Sequence, residues 1–163
     1  MKIRLAQASD EQKIIQLIVG FRKSLCQLRN RVYQEDLTAA REELSEYQNK
    51  NFPIYVAEDE INSIIGYLVC RVDGNLVWAE SLYVEPKYRQ HGIGTSLYVE
   101  AERLAHELGN DSLYNWVDPN NASIIGFLQK RGYNILNLIE LRRPHPGEEI
   151  TRKINVGENK FNY

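Results

Sequence analysis

Residues 82–95, near the middle of the chain, constrain its fold and chemistry more than any other segment. The segment starts as the end of a strand-like run, passes through a loop that contains Gly92 and Gly94, and continues directly into an amphipathic helix. Glycine allows a positive φ and a close approach of backbone to ligand. The first amides of the helix would point unpaired N–H groups, together with the helix dipole, at one place. The segment therefore predicts an anion site suited to a pyrophosphate.

Two common phosphate-binding motifs do not match this segment. A P-loop places Gly-Lys-Ser/Thr at the start of the helix, whereas here Gly94 is followed by Thr95-Ser96 without a lysine. A dinucleotide-binding fingerprint needs a third glycine, and Leu97 stands in its place. From these residues alone, the two glycines are also consistent with a tight strand-to-helix turn that binds nothing.

Hydrophobic periodicity and turn residues predict one mixed α/β domain over residues 1–163. Ser9, with Gln12 three positions later, matches a capping box at the start of the first helix. In chain order we expect strand 3–7, helix 9–28, helix 36–49, strands 54–58, 64–72 and 76–84, helix 93–108, strand 112–117, helix 122–131 and strand 133–141. We expect the tail, residues 144–163, to be an edge strand, an arm on a partner, or frayed.

Composition and charge exclude several classes of protein. Lys and Arg total 20 against 22 Asp and Glu, so the net charge of −2 indicates neither a nucleic-acid partner nor an anionic membrane partner. The chain lacks an apolar run of about 20 residues and a signal-peptide pattern. Cys26 and Cys70 have no CxxC spacing and no neighbouring His, which favours reduced thiols and no metal site. We therefore expect a cytoplasmic protein.

Two motifs resemble those of a known family. Residues 89–94, Arg-Gln-His-Gly-Ile-Gly, resemble the Gln/Arg-x-x-Gly-x-Gly/Ala motif of the GCN5-related N-acetyltransferases, the GNAT superfamily. The preceding Leu-Tyr-Val-x-Pro-x-Tyr, residues 82–88, also matches that family. Residues 121–133 resemble its Asn-x-x-Ala-x-x-x-Tyr-x-x-x-Gly-Phe segment, and the predicted order of elements agrees up to Pro144.

The resemblance implies a fold, a co-substrate and a partner. The fold would be a GNAT-like mixed, mostly antiparallel central sheet of six to seven strands with helices on both faces. Acetyl-CoA would be the co-substrate, with its pyrophosphate on the amides of residues 89–94 and its pantetheine arm beside the backbone of Leu82 and Val84. Many relatives are dimers, so a homodimer is expected by analogy. The expected cofactor-binding residues are Leu82, Tyr83, Val84, Arg89, Gln90, His91, Gly92, Ile93, Gly94, Thr95 and Asn121.

Glu80 is the residue that we expect to act as general base. It lies in an apolar run, two residues before Leu82 and therefore on the same face of an ideal strand. A partly desolvated carboxylate there is suited to taking a proton from an amine. It also resembles the acidic residue that some family members, including polyamine acetyltransferases, carry on this strand. The alternative is that Glu80 faces solvent or pairs with an arginine.

One position departs from the family's pattern. Four residues before Gly132, where the family often has a tyrosine that protonates the leaving thiolate, this chain has Leu128. A thiolate whose conjugate acid has a pKa of about 8.5 is already a tolerable leaving group, so the absence weakens the enzymatic interpretation without removing it. Tyr83, Tyr114 and Tyr133 are the candidate substitutes.

The acceptor is the least constrained part of the prediction. An acidic run from Glu35 to Glu46 usually marks an exposed helix face, but in this family the segment joining the first two helices often forms the acceptor wall. We therefore favour a small cationic, polyamine-like amine as acceptor, attacked directly in a ternary complex, with Tyr33 and Tyr47 lining the cleft. The alternatives are acetylation of a protein lysine or N-terminal amine, and a CoA-binding sensor without catalysis.

Overall fold

The computed structural model of the protein describes residues 1–162 and divides them into two compact units, with the boundary between Phe127 and Leu128. In chain order its strands and helices are β1 (Lys2–Leu5), α1 (Glu11–Leu28), α2 (Leu37–Asn49), β2 (Ile54–Glu58), β3 (Ile64–Asp73), β4 (Leu76–Val84), α3 (Ile93–Glu107), α4 (Ala122–Lys130), β5 (Lys153–Val156) and β6 (Asn159–Asn162).

A four-stranded antiparallel sheet in the order β1-β2-β3-β4 is the centre of the first unit. Both faces of β2 and β3 are covered, so these strands are buried almost throughout and read as continuous apolar runs. Helices α1 and α2 lie on one face, and α3 lies against the other. The core between the sheet and the first two helices comprises Ile14, Ile15, Leu17, Ile18, Ala40, Leu44, Tyr47, Ile54, Val56, Ile64, Tyr67, Val69 and Tyr83.

The expectation of six to seven strands in one sheet is wrong. The structure has four strands in the main sheet and a separate two-stranded hairpin, β5 and β6, in the tail. Residues 112–117 do not form a strand; they pair with β4 through a single parallel bridge between Trp78 and Tyr114. The hairpin strands pair with each other, which satisfies their backbone groups locally instead of at an edge of the main sheet.

Residues 133–141, predicted as the last strand, are not a strand in the second unit. The segment carries apolar side chains on both alternating faces, a pattern that needs cover on both sides. Instead its large apolar side chains are exposed, namely those of Ile135, Leu136, Leu138, Ile139 and Leu141. Residues 133–141 therefore have the sequence pattern of a buried strand, but no part of residues 1–162 buries them.

Neither cysteine forms a disulfide, in agreement with the prediction of free thiols. Burial raises the pKa of the Cys70 thiol to about 12, which makes it unreactive at neutral pH. Over residues 1–162, no helix is both long enough and apolar enough to cross a bilayer.

The start of α1 is held by an ion-pair network and not by the predicted capping box. Arg4 donates to both carboxylate oxygens of Asp10, at 2.6 and 3.0 Å, and to Glu58 Oε2 at 2.6 Å. The backbone N–H of Gln7 donates to Asp10 Oδ2 at 2.8 Å. The hydrogen bonds from Arg4 hold the pKa of Asp10 below its ordinary value, and the one from Gln7 adds to the effect.

We expect Asp10→Asn to lower the free energy of unfolding at pH 7 by about 1.5–3 kcal/mol, because charged hydrogen bonds of Asp10 are lost. A carboxyl group with a lowered folded-state pKa stabilises the fold above its unfolded pKa of about 3.9, and that contribution disappears as pH falls through the folded pKa. The difference from the wild type in urea unfolding should therefore shrink below about pH 4. Lys50→Ala, which breaks the exposed Lys50–Glu46 pair, is the control and should cost less than about 0.5 kcal/mol. A pH-independent Asp10→Asn difference would contradict the assignment.

Candidate functional site

The loop between β4 and α3 presents a row of backbone donors. Gly92, at φ 79°, is the N-cap of α3, and Gln90 is also left-handed, at φ 63°. The first helical bond donates from the Ser96 N–H to the Gly92 carbonyl at 2.9 Å. Within residues 1–162, the backbone N–H groups of residues 90–95 donate to no other residue. They lie at the positive end of the α3 dipole, so the loop can bind an anion of the size of a pyrophosphate.

Gly94 leaves room directly over these donors. It does not have a positive φ, and a Cβ built on it would meet no atom of residues 1–162 within 4 Å. Neither backbone conformation nor packing within this chain therefore requires glycine at position 94. The open space is what close approach of a phosphate needs, so the residues present fit the pyrophosphate of a CoA ester.

Arg89 and His91 brace the loop. Arg89 Nε donates to the Val84 carbonyl at 2.9 Å, and its guanidinium lies 5.3 Å from the centre of the Tyr83 ring. His91 Nδ1 lies 2.7 Å from the Arg89 carbonyl oxygen, and its ring is exposed. The bond from Arg89 joins the loop to the end of β4, and the Arg89 side chain remains exposed.

Beyond its bulge, β4 has an open edge. The Ala79 N–H donates to the Tyr114 carbonyl at 3.0 Å and the Tyr114 N–H to the Val77 carbonyl at 2.9 Å, and pairing with the 112–117 segment ends there. The Glu85 N–H donates to the Ile65 carbonyl of β3, at 3.0 Å, so the antiparallel alternation turns the backbone groups of Leu82 and Val84 away from β3. Apart from the Val84 carbonyl, which accepts from Arg89, these groups face the gap where β4 and the 112–117 segment separate.

Glu80 is the extra residue of a β-bulge. Val69 pairs with Ser81 and Cys70 with Ala79, so Glu80 has no partner across the ladder. The bulge breaks the simple alternation that the sequence argument used for Glu80 and Leu82. Within residues 1–162 its half-buried carboxylate forms no hydrogen bond or ion pair, so the alternative of an arginine pair is wrong. A half-buried carboxylate without a protein partner is available to accept a proton.

A groove of about 510 Å³ runs along α1 beside the end of β4. Gly20 of α1 is needed for the position of the Tyr83 ring in this groove. A Cβ at residue 20 would lie 2.6 Å from the Tyr83 hydroxyl oxygen, so only glycine lets the ring pack against the helix. The hydroxyl has no hydrogen-bond partner among residues 1–162. The groove is lined by Gln16, Val19, Gly20, Lys23, Ser24, Gln27, Glu35, Leu37, Tyr83 and Pro86.

The structure separates the two tyrosines predicted for the acceptor cleft. Tyr47 belongs to the core, is 6% exposed, and donates to Glu43 Oε1 at 2.6 Å, so it offers little surface to a substrate. Burial and the bond to Glu43 raise its pKa. Tyr33 lies in the connection between α1 and α2, half-buried, and burial raises its pKa as well. Neither residue is among those that line the groove.

Most of the acidic run is already paired. Arg22 Nε donates to Glu43 Oε2 at 2.6 Å, and Lys50 Nζ lies 2.5 Å from Glu46 Oε1. Asp36 Oδ1 accepts from the Ala39 N–H at 2.8 Å and so caps α2. Glu35 is the member of the run that reaches the groove. The run is therefore mainly structural.

Asn121 has a structural role in this structure. Its Oδ1 accepts from the Ile124 N–H at 3.2 Å, three residues ahead, which is the geometry of a helix N-cap at the start of α4. The expected contact with the cofactor would have to come from its side-chain NH₂ group, and it stays a prediction. Among the described residues there is no cluster of His, Cys, Asp and Glu that could hold a metal ion.

Sequence reasoning assigned no role to Gly20 or Lys23 in the groove. The signal was present for Gly20, because an isolated glycine in the apolar stripe of a helix is costly and usually has a packing reason. Nothing in the local pattern marks Lys23, since an exposed lysine on a helix is ordinary.

Comparisons with known proteins agree on one family. The family model described as the acetyltransferase (GNAT) family matches residues 22–133. YwnH of Bacillus subtilis (strain 168), which carries the provisional name phosphinothricin acetyltransferase, is 30% identical over 86 residues, covering 50% of this chain. That match spans 53% of YwnH, about half of its length.

Solved structures share the fold. A GNAT-family acetyltransferase from Staphylococcus aureus Mu50 aligns with a TM-score of 0.64 and 20% identity over 80% of this chain and 82% of its own. The aminoglycoside N-acetyltransferase AAC(6')-Iy, solved with the bisubstrate analogue CoA-S-monomethyl-acetylneamine, aligns with a TM-score of 0.65 and 18% identity over 88% of this chain and 97% of its own. At these identities the likeness concerns the fold.

We expect Gly94→Asp to have opposite effects on folding and on anion binding. An aspartate in the first turn of α3 interacts favourably with the helix dipole, so the thermal midpoint should stay unchanged or rise. The same carboxylate would lie over the free amides and repel a pyrophosphate, so calorimetric affinity for CoA should fall by about tenfold or more. Gly126→Ala, at another open helical glycine in α4, is the matched control and should leave binding unchanged. Undiminished CoA binding by a folded Gly94→Asp variant would remove the loop from the site.

Proposed function

Because the chain belongs to the GNAT family of acetyltransferases, we propose that it transfers the acetyl group of acetyl-CoA to a primary amine of a small molecule, by direct attack in a ternary complex. The observation that carries this proposal is the row of unpaired amides at residues 90–95, next to the open edge of β4. One of these features holds a diphosphate and the other can pair with an amide-bearing arm, and the two are adjacent along the chain.

The proposed roles of these residues follow from their positions. The amides of residues 90–95 would hold the pyrophosphate, with Arg89 at their side. The outward N–H groups of Leu82 and Val84 and the Leu82 carbonyl would pair with the pantetheine arm, since the Val84 carbonyl already accepts from Arg89 Nε. The N–H group of Leu82 or Val84 would also polarise the thioester carbonyl. In the reaction, the amine nitrogen forms a bond to that carbonyl carbon while the C–S bond breaks, and the leaving thiolate takes up a proton.

Glu80 would deprotonate the acceptor. An alkylammonium has a pKa of about 10.4, so at pH 7 only about one molecule in a few thousand is the nucleophilic free amine. This deficit corresponds to about 4–5 kcal/mol, which a positioned base reduces. Glu80 is half-buried at the bulge, where β4 starts to separate from the 114 segment, and no other residue of 1–162 engages its carboxylate.

Two observations bear on the class of acceptor. The names of YwnH and of AAC(6')-Iy refer to small molecules, which favours a small acceptor over a protein lysine or N-terminal amine. The acidic run favoured a polyamine, but Glu43 and Glu46 are paired with Arg22 and Lys50, and only Glu35 lies at the groove. A single carboxylate attracts one ammonium group and does not by itself select a polyamine.

A CoA-binding sensor without catalysis is the second candidate. Leu128, which is buried, stands where the family often supplies a proton to the thiolate. Thiol release from acetyl-CoA with a panel of amines separates the two functions. Amine-dependent thiol release supports the enzyme, whereas calorimetric binding of CoA without any amine-dependent thiol supports the sensor.

A homodimer stays a prediction. The exposed apolar side chains of residues 133–141 support it, since exposed large apolar residues close together in a chain are often covered by another protein. Light scattering on the pure protein measures the mass directly.

We expect Glu80→Gln to lower kcat at pH 7 by about 10²–10⁴, because a general base is lost while the shape is kept. The deficit should decrease as pH rises toward the pKa of the amine, since free acceptor then replaces the base. The measurement is the pH–rate profile of thiol release, with CoA affinity by calorimetry as a check that the site is intact. Glu42→Gln, on the exposed face of α2, is the control and should retain the wild-type profile. An unchanged profile in Glu80→Gln would take this residue out of the mechanism.

A further inference from the structure

The groove beside β4 contains one cationic and one anionic side chain. Lys23 comes from α1 and Glu35 from the connection between α1 and α2, and both line the groove. The groove reaches Tyr83 and Pro86, so it ends at the part of β4 whose backbone groups face the open edge. A ligand in the groove would therefore lie next to the site proposed for the thioester.

The other charged residues nearby neutralise one another. Lys13 donates to Glu85 Oε1 at 2.6 Å, and Arg22 is bonded to Glu43. In contrast, neither Lys23 nor Glu35 forms an ion pair with any residue of 1–162. Lys23 therefore has its three donors available for an anionic group of a ligand, and Glu35 keeps its negative charge available for an ammonium group.

This arrangement disfavours a polyamine. A second ammonium group of the acceptor would meet the charge of Lys23, while a carboxylate at the same position would be attracted to it. Discrimination of this kind comes from repulsion of the wrong ligand as much as from attraction of the right one. The hydroxyl of Tyr83, which lines the groove and is unpartnered within residues 1–162, is a neutral donor.

Resting on the proposed acetyltransferase function, we propose that the acceptor is an amine that also carries an anionic group, of amino-acid type, and that Lys23 determines this specificity. Lys23 binds the anionic group, and Glu35 attracts the ammonium form and orients the molecule. The groove of about 510 Å³ has room for a small molecule, and the acceptor that we propose is of that size.

The test uses acceptors that differ in one group. The first series is 1,4-diaminobutane, 4-aminobutanoate and 4-aminobutanol; the second pairs several α-amino acids with their carboxamides. Specificity is measured as kcat/KM from thiol release, the acetylated product is identified by mass spectrometry, and acceptor binding in the presence of CoA is followed by calorimetry. We expect carboxylate-bearing amines to exceed their matched cationic or neutral counterparts by about tenfold or more in kcat/KM.

The variants assign that preference to a residue. Lys23→Gln should bring the carboxylate and carboxamide acceptors to similar values, and Lys23→Glu should reverse the order in favour of the diamine. Lys50→Glu makes the same charge change outside the groove and should keep the wild-type order. Lys23 is exposed, so thermal midpoints near that of the wild type are expected for its variants.

Each outcome decides the inference. Preference for the diamine in the wild type, or a carboxylate preference that survives in Lys23→Glu, overturns this inference and leaves the acetyltransferase function standing. Absence of thiol release with every amine overturns both. A carboxylate preference that is lost or reversed only in the Lys23 variants supports it.

Discussion

Backbone groups without a partner in the chain are what the proposed site depends on. The N–H groups of residues 90–95 lie on one side of a short loop, and the outward N–H groups of Leu82 and Val84, together with the Leu82 carbonyl, lie on the other. The Val84 carbonyl accepts from Arg89 Nε, which bonds the loop to the end of β4. Folding normally pairs such groups, because an unpaired polar group that is buried away from water raises the free energy of the folded state. The outward groups of β4 remain open because the 112–117 segment meets β4 at a single bridge and then separates from it. The N–H groups of residues 90–95 remain open because they precede or form the first turn of α3, where no intrahelical acceptor is available. The same separation that shortens the main sheet creates the opening for a ligand.

The part of the fold that depends on local pattern could be predicted from the sequence. The helices α1, α2 and α3 and the strands β2, β3 and β4 fall within a few residues of the expected positions, since each has a clear period and a nearby turn or cap. Strands were also predicted at 112–117 and 133–141, and these segments do not form strands. A strand needs a partner as well as a propensity, and whether residues 133–141 find one is decided by contacts distant in sequence. In the tail hairpin, by contrast, each strand finds its partner only one turn away in the sequence, so β5 and β6 pair with each other.

The bulge at Glu80 shows a different limit. Alternation along a strand places residues two apart on one face, and on that basis Glu80 and Leu82 were expected to lie together. Because Ala79 pairs with Cys70 and Leu82 with Leu68, one residue is inserted between them and the phase shifts. An inserted residue has no signature in polarity or propensity, so it is visible only in the register of the ladder. The same insertion leaves Glu80 without a partner in the ladder. A residue in that position is suited to contacting a substrate, because β-bulges often re-aim a side chain next to an active site.

The proposed cofactor and acceptor sites differ in what builds them, and this explains why the sequence revealed one more readily than the other. The cofactor site consists mainly of backbone amides. Their arrangement uses the positive φ of Gly92, and Gly94 leaves open space for a phosphate beside them, so the site leaves a short, recognisable motif. The acceptor groove consists of side chains from α1, the following connection and β4, brought together only by packing. Its charged residues, Lys23 and Glu35, look like ordinary surface residues in the sequence. In the structure they become candidates for ligand binding, because their charged neighbours are already paired. Backbone recognition of an invariant cofactor can thus coexist with side-chain recognition of a variable acceptor, and the second can change by single substitutions without disturbing the first.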